Sequence, residues 1–540
     1  MANNNLHKIT NISRFLVLLS WVCSAAGLQA QQVVETPRLL VCIVVDQLRG
    51  DYLQYFNSTF GEKGFRRLMN GGLAYYSVDF GFPNLSEASS TAAIYTGAYP
   101  YYNGITGNYK YDLSKNREIS IVADDDYMGN YTSDRFSPLS LLASTVGDEL
   151  KIASNGQSLV YAIAPNAAEA ILSGGRYANG VFWLDNYNGK WATSTYYKDV
   201  PSYVERYNAA EAIGNYADKQ WTQSYTYYAG LPYSNRKEAF SYKFPKTDKE
   251  RFIKIKQTSL INEEVTNLAT RFLENAGLGN RSCTDLLAIT YYAGNYKFGS
   301  EPEEYSYEIQ DIYSRLDKEL ERLLDVVDRK AGLKHTVVVL TSTGYYDLLD
   351  RLPQGLKPVG ETAFGNSRFY PNRCTALLNM YLMAVYGQGN WVSAYYDRQI
   401  FLNKKLAEDK QIQWLELVRN AAEFVSQFSG VQDVTTAAQW FVDDAGHAAA
   451  FRRGMSKKIS GDIFIELQPG WVVADENKTQ QEPVRETAII APLYIFGEYI
   501  KKEQVRRKVK ATEIAPTVSY VLRIRPPNAC KDLPLTEIIE

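Results

Sequence analysis

The chain has 540 residues, with 58 Lys and Arg against 60 Asp and Glu, a net charge of −2. Its composition, 45% hydrophobic and 22% charged, is that of a globular protein and excludes wholesale disorder, collagen and coiled coil. The balanced charge excludes a global basic field for nucleic acid, and only 3 His are present beside 41 Tyr.

In chain order, Lys8 and Arg14 flank the start of an apolar run, Phe15 to Leu28. Leu28-Gln29-Ala30 before Gln31 is an acceptable cleavage site. Residues 1–30 therefore read as a secretory signal, and 31–540 as an exported, periplasmic part in possible association with the outer membrane. Lipid anchoring at Cys23 is the alternative to cleavage after Ala30. Leu39 to Val45 is a continuous apolar run ending at Asp46, the pattern of a parallel strand covered on both faces. Asp46 then stands at a strand's C-terminal end, where open α/β sheets place their sites. Ser86 to Thr96 reads as a small-residue helix, with Ser86 or Asn84 as its cap.

A Tyr-, Asn-, Ser- and Gly-rich stretch, about 187–250, reads as a cap insertion over the sheet. Its Tyr225, Tyr227, Tyr228, Tyr233 and Tyr242 are candidate contact residues for a protein partner. Asp285 to Thr290 and Thr336 to Leu340 are two further apolar strands. Ser306 to Lys330 is an amphipathic helix between them, which makes a right-handed parallel crossover. Lys501, Lys502, Arg506, Arg507, Lys508 and Lys510 form a basic run that could meet an acidic partner or anionic lipid, or be a solvated face. Beyond the signal no apolar run reaches ~18 residues, so no transmembrane segment is expected. Cys42, Cys283, Cys374 and Cys530 are widely spaced, which favours free thiols over a disulfide framework. The fold class is α/β: a mostly parallel central sheet with helices on both faces and a Tyr-rich cap.

Several segments together resemble the alkaline phosphatase superfamily. They are Val44-Val45-Asp46-Gln47-Leu48-Arg49, Ala93-Ile94-Tyr95-Thr96-Gly97, Asn103-Gly104-Ile105-Thr106-Gly107-Asn108, Trp191 to Tyr197, Ala491-Pro492-Leu493-Tyr494-Ile495-Phe496-Gly497 and Glu513-Ile514-Ala515-Pro516-Thr517. The resemblance is to the periplasmic two-zinc phosphomonoesterases of Bacteroidetes, near the nucleotide pyrophosphatase/phosphodiesterase branch. It implies a Thr or Ser nucleophile, two zinc ions held by Asp and His, and an Asn with a Lys/Arg pair for the phosphoryl oxygens.

Carried over residue by residue, Asp46 matches the first metal-binding Asp and Asn108 the phosphoryl-orienting Asn. The other positions depart from the pattern. Glu87 stands at the nucleophile. Tyr291 and Asn295 stand where an Asp and a His belong, as do Ser342 and Thr343. Ile490 replaces the last His, and Asn166 and Ala168 lie near the basic pair. His335 precedes a strand, away from the site, and His447 lies in a polar segment. The resemblance therefore implies a degenerate centre with no catalytic residues, no cofactor and the zinc pair lost. The expected function is a non-catalytic pseudophosphatase of the cell envelope, acting as a protein-binding or scaffold subunit beside an envelope or outer-membrane partner. Two alternatives stand beside it. One is a metal-dependent phosphoesterase remodelled around Asp46 and Glu87, with Ca2+ or Mg2+ and a nucleophile shifted to Ser86, Ser89 or Thr91. The other is a small-ligand pocket among Tyr291, Tyr292, Asn295, Tyr345 and Tyr346.

Overall fold

The computed structural model of the protein describes residues 36–83, 85–198, 200–215, 219–224, 239–296, 307–345, 368–439, 446–468, 471–474, 482–483 and 491–539. The signal, Tyr225, Tyr227, Tyr228, Tyr233, Tyr346, Asn84 and Ile490 lie outside the described residues.

The elements that position the site are, in chain order, β1 (Leu39–Asp46), β2 (Leu73–Asp79), α1 (Glu87–Thr96), β3 (Gly129–Asn130), β4 (Val160–Ala164), α2 (Ala167–Gly174), β5 (Gly180–Leu184), β6 (Trp191–Ser194), α3 (Ser259–Asn275), β7 (Asp285–Tyr292), α4 (Tyr307–Lys330), β8 (Thr336–Ser342), β9 (Ala491–Phe496), β10 (Glu503–Val505) and β11 (Val509–Lys510). The strands form one sheet in the order β10-β2-β9-β8-β1-β7-β4-β5-β6-β3, with β11 also on β2. Pairs β8-β1, β1-β7, β7-β4 and β4-β5 are parallel, and β9 and β6 run antiparallel to their neighbours.

β1 is buried throughout, and its two faces join different cores. Leu39, Val41, Ile43 and Val45 pack under α3 and α4, whereas Leu40, Cys42 and Val44 pack under α1 and α2. This is why the run is continuously apolar: both faces are covered. α4 buries Ile309, Ile312, Leu316, Leu320, Leu323, Leu324 and Val327, the i, i+3, i+4 stripe of a helix lying on a sheet. Its flanking strands β7 and β8 are parallel but not adjacent, because β1 lies between them. α1 is buried on all sides, which is why it is built from Ala, Ser and Thr. It ends at Gly97 in the left-handed conformation (φ 60°).

Two features correct the expected layout. The stretch from 187 is not wholly a cap over the sheet, because β6 belongs to the sheet itself. Among the described residues there, Lys219–Thr222 and Ser241–Phe244 form a separate two-stranded antiparallel sheet. Tyr242, offered above as a contact residue, faces inward: its ring stacks on Trp221 at 5.7 Å and its hydroxyl donates to Glu308 Oε1 at 2.8 Å. A four-stranded antiparallel sheet over Val392–Tyr396, Gln399–Leu402, Ile463–Leu467 and Val431–Thr436 also has its own core, around Leu378, Trp391, Ile400 and Leu417. Its short strands carry too little alternation to be read from sequence.

The basic run is largely neutralised. Lys501, Arg507, Lys508 and Lys510 pair with Glu503, Glu537, Asp79 and Asp532. The four later cysteines are free thiols, with Cys42 and Cys374 buried. Among the described residues no helix is long and apolar enough to cross a membrane.

α3 carries a buried acid, Glu264, which accepts from Trp191 Nε1 of β6 at 3.2 Å and from the Ile213 amide at 3.1 Å. Burial pushes its carboxyl up to about 7, so the folded state holds a proton that the unfolded state releases near pH 4.3. This group's contribution therefore falls as pH rises from about 4.5 to about 7 and is flat above. Glu264→Gln keeps an acceptor without the charge. Denaturant melts at pH 5 and pH 7.5 should show the variant gaining stability relative to wild type at the higher pH. An unchanged difference between the two pH values would contradict this.

Candidate functional site at the carboxyl ends of the sheet strands

The register of β1 sets the geometry. Asp46 lies level with Tyr292 of β7, and Val45 lies level with Ser342 of β8. The ends of three adjacent parallel strands therefore meet at one place. Asp46 shares the strand face of Leu40, Cys42 and Val44, so it points to the side occupied by α1 and α2.

Asp46 is 2% exposed. Its Oδ1 accepts from the Thr343 hydroxyl at 2.6 Å, and that same hydroxyl accepts from the Gln47 amide at 3.1 Å. Gln47 adopts φ 58°, an uncommon conformation for a side-chain-bearing residue, which lets the chain turn sharply away from the strand end. Ser342 donates its hydroxyl to the Leu48 carbonyl at 2.8 Å and accepts from the Gly344 amide at 3.0 Å. Both Ser342 and Thr343 thus tie the β8 end to the loop after β1.

At β7 the two ligand positions part company. Tyr291 has the parity of Leu287 and Ile289 and packs in the core beneath α3, where its hydroxyl pairs with Thr266 Oγ1 at 2.9 Å. It lies on the sheet face opposite Asp46, which corrects its expected place on the site floor. Tyr292, level with Asp46 at the strand end, packs in the same core as Tyr291 and donates its hydroxyl to the Asn295 carbonyl at 2.7 Å. Asn295 Nδ2 donates to the Tyr345 hydroxyl at 3.2 Å. Arg49 is held between the rings of Tyr52 and Tyr345, 4.0 and 5.0 Å from their centroids, and pairs with Asp51 at 2.6 Å.

α1 brings in the other expected pair. Ser86 is its N-cap, accepting from the Ser89 amide at 3.1 Å, and Glu87 occupies the first helical position. An acid there is favoured by the helix dipole. Asn108 Nδ2 donates to Glu87 Oε2 at 2.6 Å, while Asn108 Oδ1 accepts from the Ala88 amide at 3.0 Å. The two expected site residues Asn108 and Glu87 are thus engaged with each other. His335 closes a short turn at the opposite, amino-terminal end of β8, and His447 opens the helix Gly446–Gly454.

Sequence reasoning missed two residues. Glu169, in the first turn of α2, is 1% exposed and accepts from the Asn166 amide at 3.2 Å. Burial, and then the charges of Asp46 and Glu87, push its carboxyl well above the usual range. The signal was present as an Asn-x-x-Glu capping box at Asn166. Lys256 follows the short helix Arg251–Ile255 and donates to Asn186 Oδ1 at 2.6 Å. Burial pushes its ammonium down to about 8, against the pull of Glu169, Asp185, Asp134 and Glu87. No motif marks it, because it reaches the strand ends only through the fold. Among the described residues, no three of His, Cys, Asp and Glu converge as a metal-binding group.

The Thr343 hydroxyl bridges a buried carboxylate and a backbone amide. Thr343→Val should cost about 1–3 kcal/mol in denaturant unfolding, and Thr343→Ser much less. Equal stability of Thr343→Val and wild type would show that the bridge contributes nothing.

The comparisons with known proteins follow this geometry. The family model described as type I phosphodiesterase / nucleotide pyrophosphatase matches residues 40–489. A protein from Myroides odoratus named calcium-transporting ATPase is 30% identical over 536 residues, covering 95% of this chain and 96% of its own length. Alkaline phosphatase PafA of Elizabethkingia meningoseptica is 28% identical over 545 residues, covering 96% and 97%. The crystal structure of wild-type alkaline phosphatase PafA superposes with a TM-score of 0.76 at 25% identity, over 94% of this chain and 100% of that one. The chain belongs to the type I phosphodiesterase / nucleotide pyrophosphatase family, in the alkaline phosphatase superfamily, and is PafA-like.

Proposed function

We propose that this chain is an exported member of the family that binds through the phosphatase scaffold and does not run two-zinc phosphoryl transfer at the ancestral centre. The observation that supports the reading is at α1: Glu87, which the resemblance aligns with the nucleophile, is hydrogen-bonded to Asn108. A carboxylate there offers no hydroxyl for attack, and its charge repels the phosphoryl anion it would have to meet.

The donor set supports the same reading. A zinc site takes about four donors, drawn from imidazole, thiolate and carboxylate. At the matched positions within the described residues, Asp46 is the one such donor, beside Tyr291, Asn295, Ser342 and Thr343. Those residues are hydrogen-bonded to one another or to neighbouring protein atoms. They do not fit a pair of zinc ions. Export rests on the basic and apolar pattern of residues 1–30. A protein partner in the envelope rests on the Tyr-rich composition alone, since the described Tyr242 packs inward.

A second reading, a phosphoesterase with a remodelled site, draws its support from the relatives, three of which are named alkaline phosphatases. Asp46 and Glu87 would be its carboxylates, with a hard cation such as Mg2+ or Ca2+.

One preparation separates the two readings. The mature protein should carry no stoichiometric zinc by plasma mass spectrometry. It should leave p-nitrophenyl phosphate and bis-p-nitrophenyl phosphate intact with added Zn2+, Mg2+ or Ca2+. Stoichiometric zinc would overturn the reading, and so would turnover abolished by Asp46→Ala or Glu87→Ala.

A further inference from the structure

Two helices share the core of the four-stranded antiparallel sheet: α5 (Pro371–Tyr386) and α6 (Trp414–Val425). α5 turns Cys374, Leu378 and Leu382 into that core, one residue per turn. The helices run antiparallel, because Tyr381 stacks on Phe424 at 4.5 Å while the Tyr386 hydroxyl accepts from Asn420 Nδ2 at 2.6 Å. A helix on a sheet normally shows a polar, charged face to water. In its 16 residues α5 carries a single charge, Arg373.

Its outer face is instead an apolar stripe. Arg373, Ala376, Leu377, Met380 and Ala384 are all exposed, and their three- and four-residue spacing aligns them along the helix. Met380 at the centre is 64% exposed, and Leu415 of α6 is 66% exposed. The stripe is symmetric about Met380, since Ala376 and Ala384 stand four residues before and after it. Its two ends carry opposite charge. Arg373 lies in the first turn, where the helix's own dipole disfavours a cation. At the other end are the last carbonyls of α5, capped by Gly387, and exposed Glu416, one turn of α6 before Asn420. Among the described residues neither Arg373 nor Glu416 makes an ion pair. Within one chain they cannot meet, because α5 separates them by about 20 Å.

We propose that the outer face of α5 is a dimer interface, on which a second copy of this chain docks with its own α5 antiparallel about a two-fold axis at Met380. The contact is then isologous, so every pair occurs twice. Met380 meets Met380 of the partner subunit. Ala376 faces Ala384 of the partner subunit, and two small residues there let the helices approach closely. Arg373 reaches the carboxyl end of α5 and Glu416 of the partner subunit. This charge complementarity is what selects a second copy over a lipid surface: an anionic bilayer would attract Arg373 but would have to take in Glu416 as well. The inference is independent of whether the centre at the strand ends is catalytic.

The test is sedimentation velocity on the full mature chain across a concentration series. Wild type should sediment as a dimer at micromolar concentration. Met380→Glu sets two like charges against each other on the axis and should weaken the dimer about hundredfold or more, with the circular dichroism spectrum unchanged. Arg373→Glu and Glu416→Arg should each weaken it, and the double variant should recover it, because the pair is restored in reverse across the interface. Met380→Cys should cross-link to itself on mild oxidation, above the background set by the native thiols, as the antiparallel geometry requires. A wild type that stays monomeric throughout would overturn the proposal, as would a dimer indifferent to Met380→Glu. So would a monomer that floats with anionic phosphatidylglycerol vesicles and loses that flotation in Met380→Glu, since lipid would then be the occupant of this face.

Discussion

A carboxylate at the end of the central strand cannot be left alone. Asp46 is delivered to the carboxyl edge of the sheet by β1, which is covered on both faces and is paired in parallel on both sides. Its desolvated charge has to be met by donors or by a cation. The rest of the site can be understood as the answer: the Thr343 hydroxyl on Asp46, and the Gln47 amide on that hydroxyl. The family fold supplies the position, and the side chains around it decide what chemistry the position can hold.

The expected site residues are satisfied by protein neighbours. Two hydroxyl residues at the end of β8 both hydrogen-bond into the loop after β1. Asn295, after β7, bonds to Tyr345. Glu87 takes up Asn108. On the proposed reading, these residues stand where the resembled enzymes place groups facing a metal or a phosphoryl oxygen. A zinc pair would present an electropositive floor to an anionic ester, whereas Asp46, Glu87 and Glu169 are acids.

Much of the fold was legible because its central strands are long and unambiguous. Leu39 to Asp46, Asp285 to Tyr292 and Thr336 to Ser342 are apolar runs bounded by polar residues, and the helix over Tyr307–Lys330 has a clear stripe. Asp46, Glu87 and Asn108 were legible because each sits at a fixed offset from a recognisable segment. What was lost is what depends on strand parity or on long-range contact. Tyr291 reads as a lining residue in the sequence, yet it has the strand parity of Leu287 and Ile289 and packs into the core beneath α3. Lys256 belongs to no motif and comes from a short helix about 90 residues along the chain from α2. The second antiparallel sheet was missed because its strands are only four to six residues long.

The most direct test of the account is diffraction from crystals of the mature protein soaked in zinc, recorded on both sides of the zinc absorption edge. The account predicts no anomalous peak beside Asp46, with Thr343 and Gln47 still on its carboxylate. Two peaks about 4 Å apart between Asp46 and the ends of β7 and β8 would contradict it.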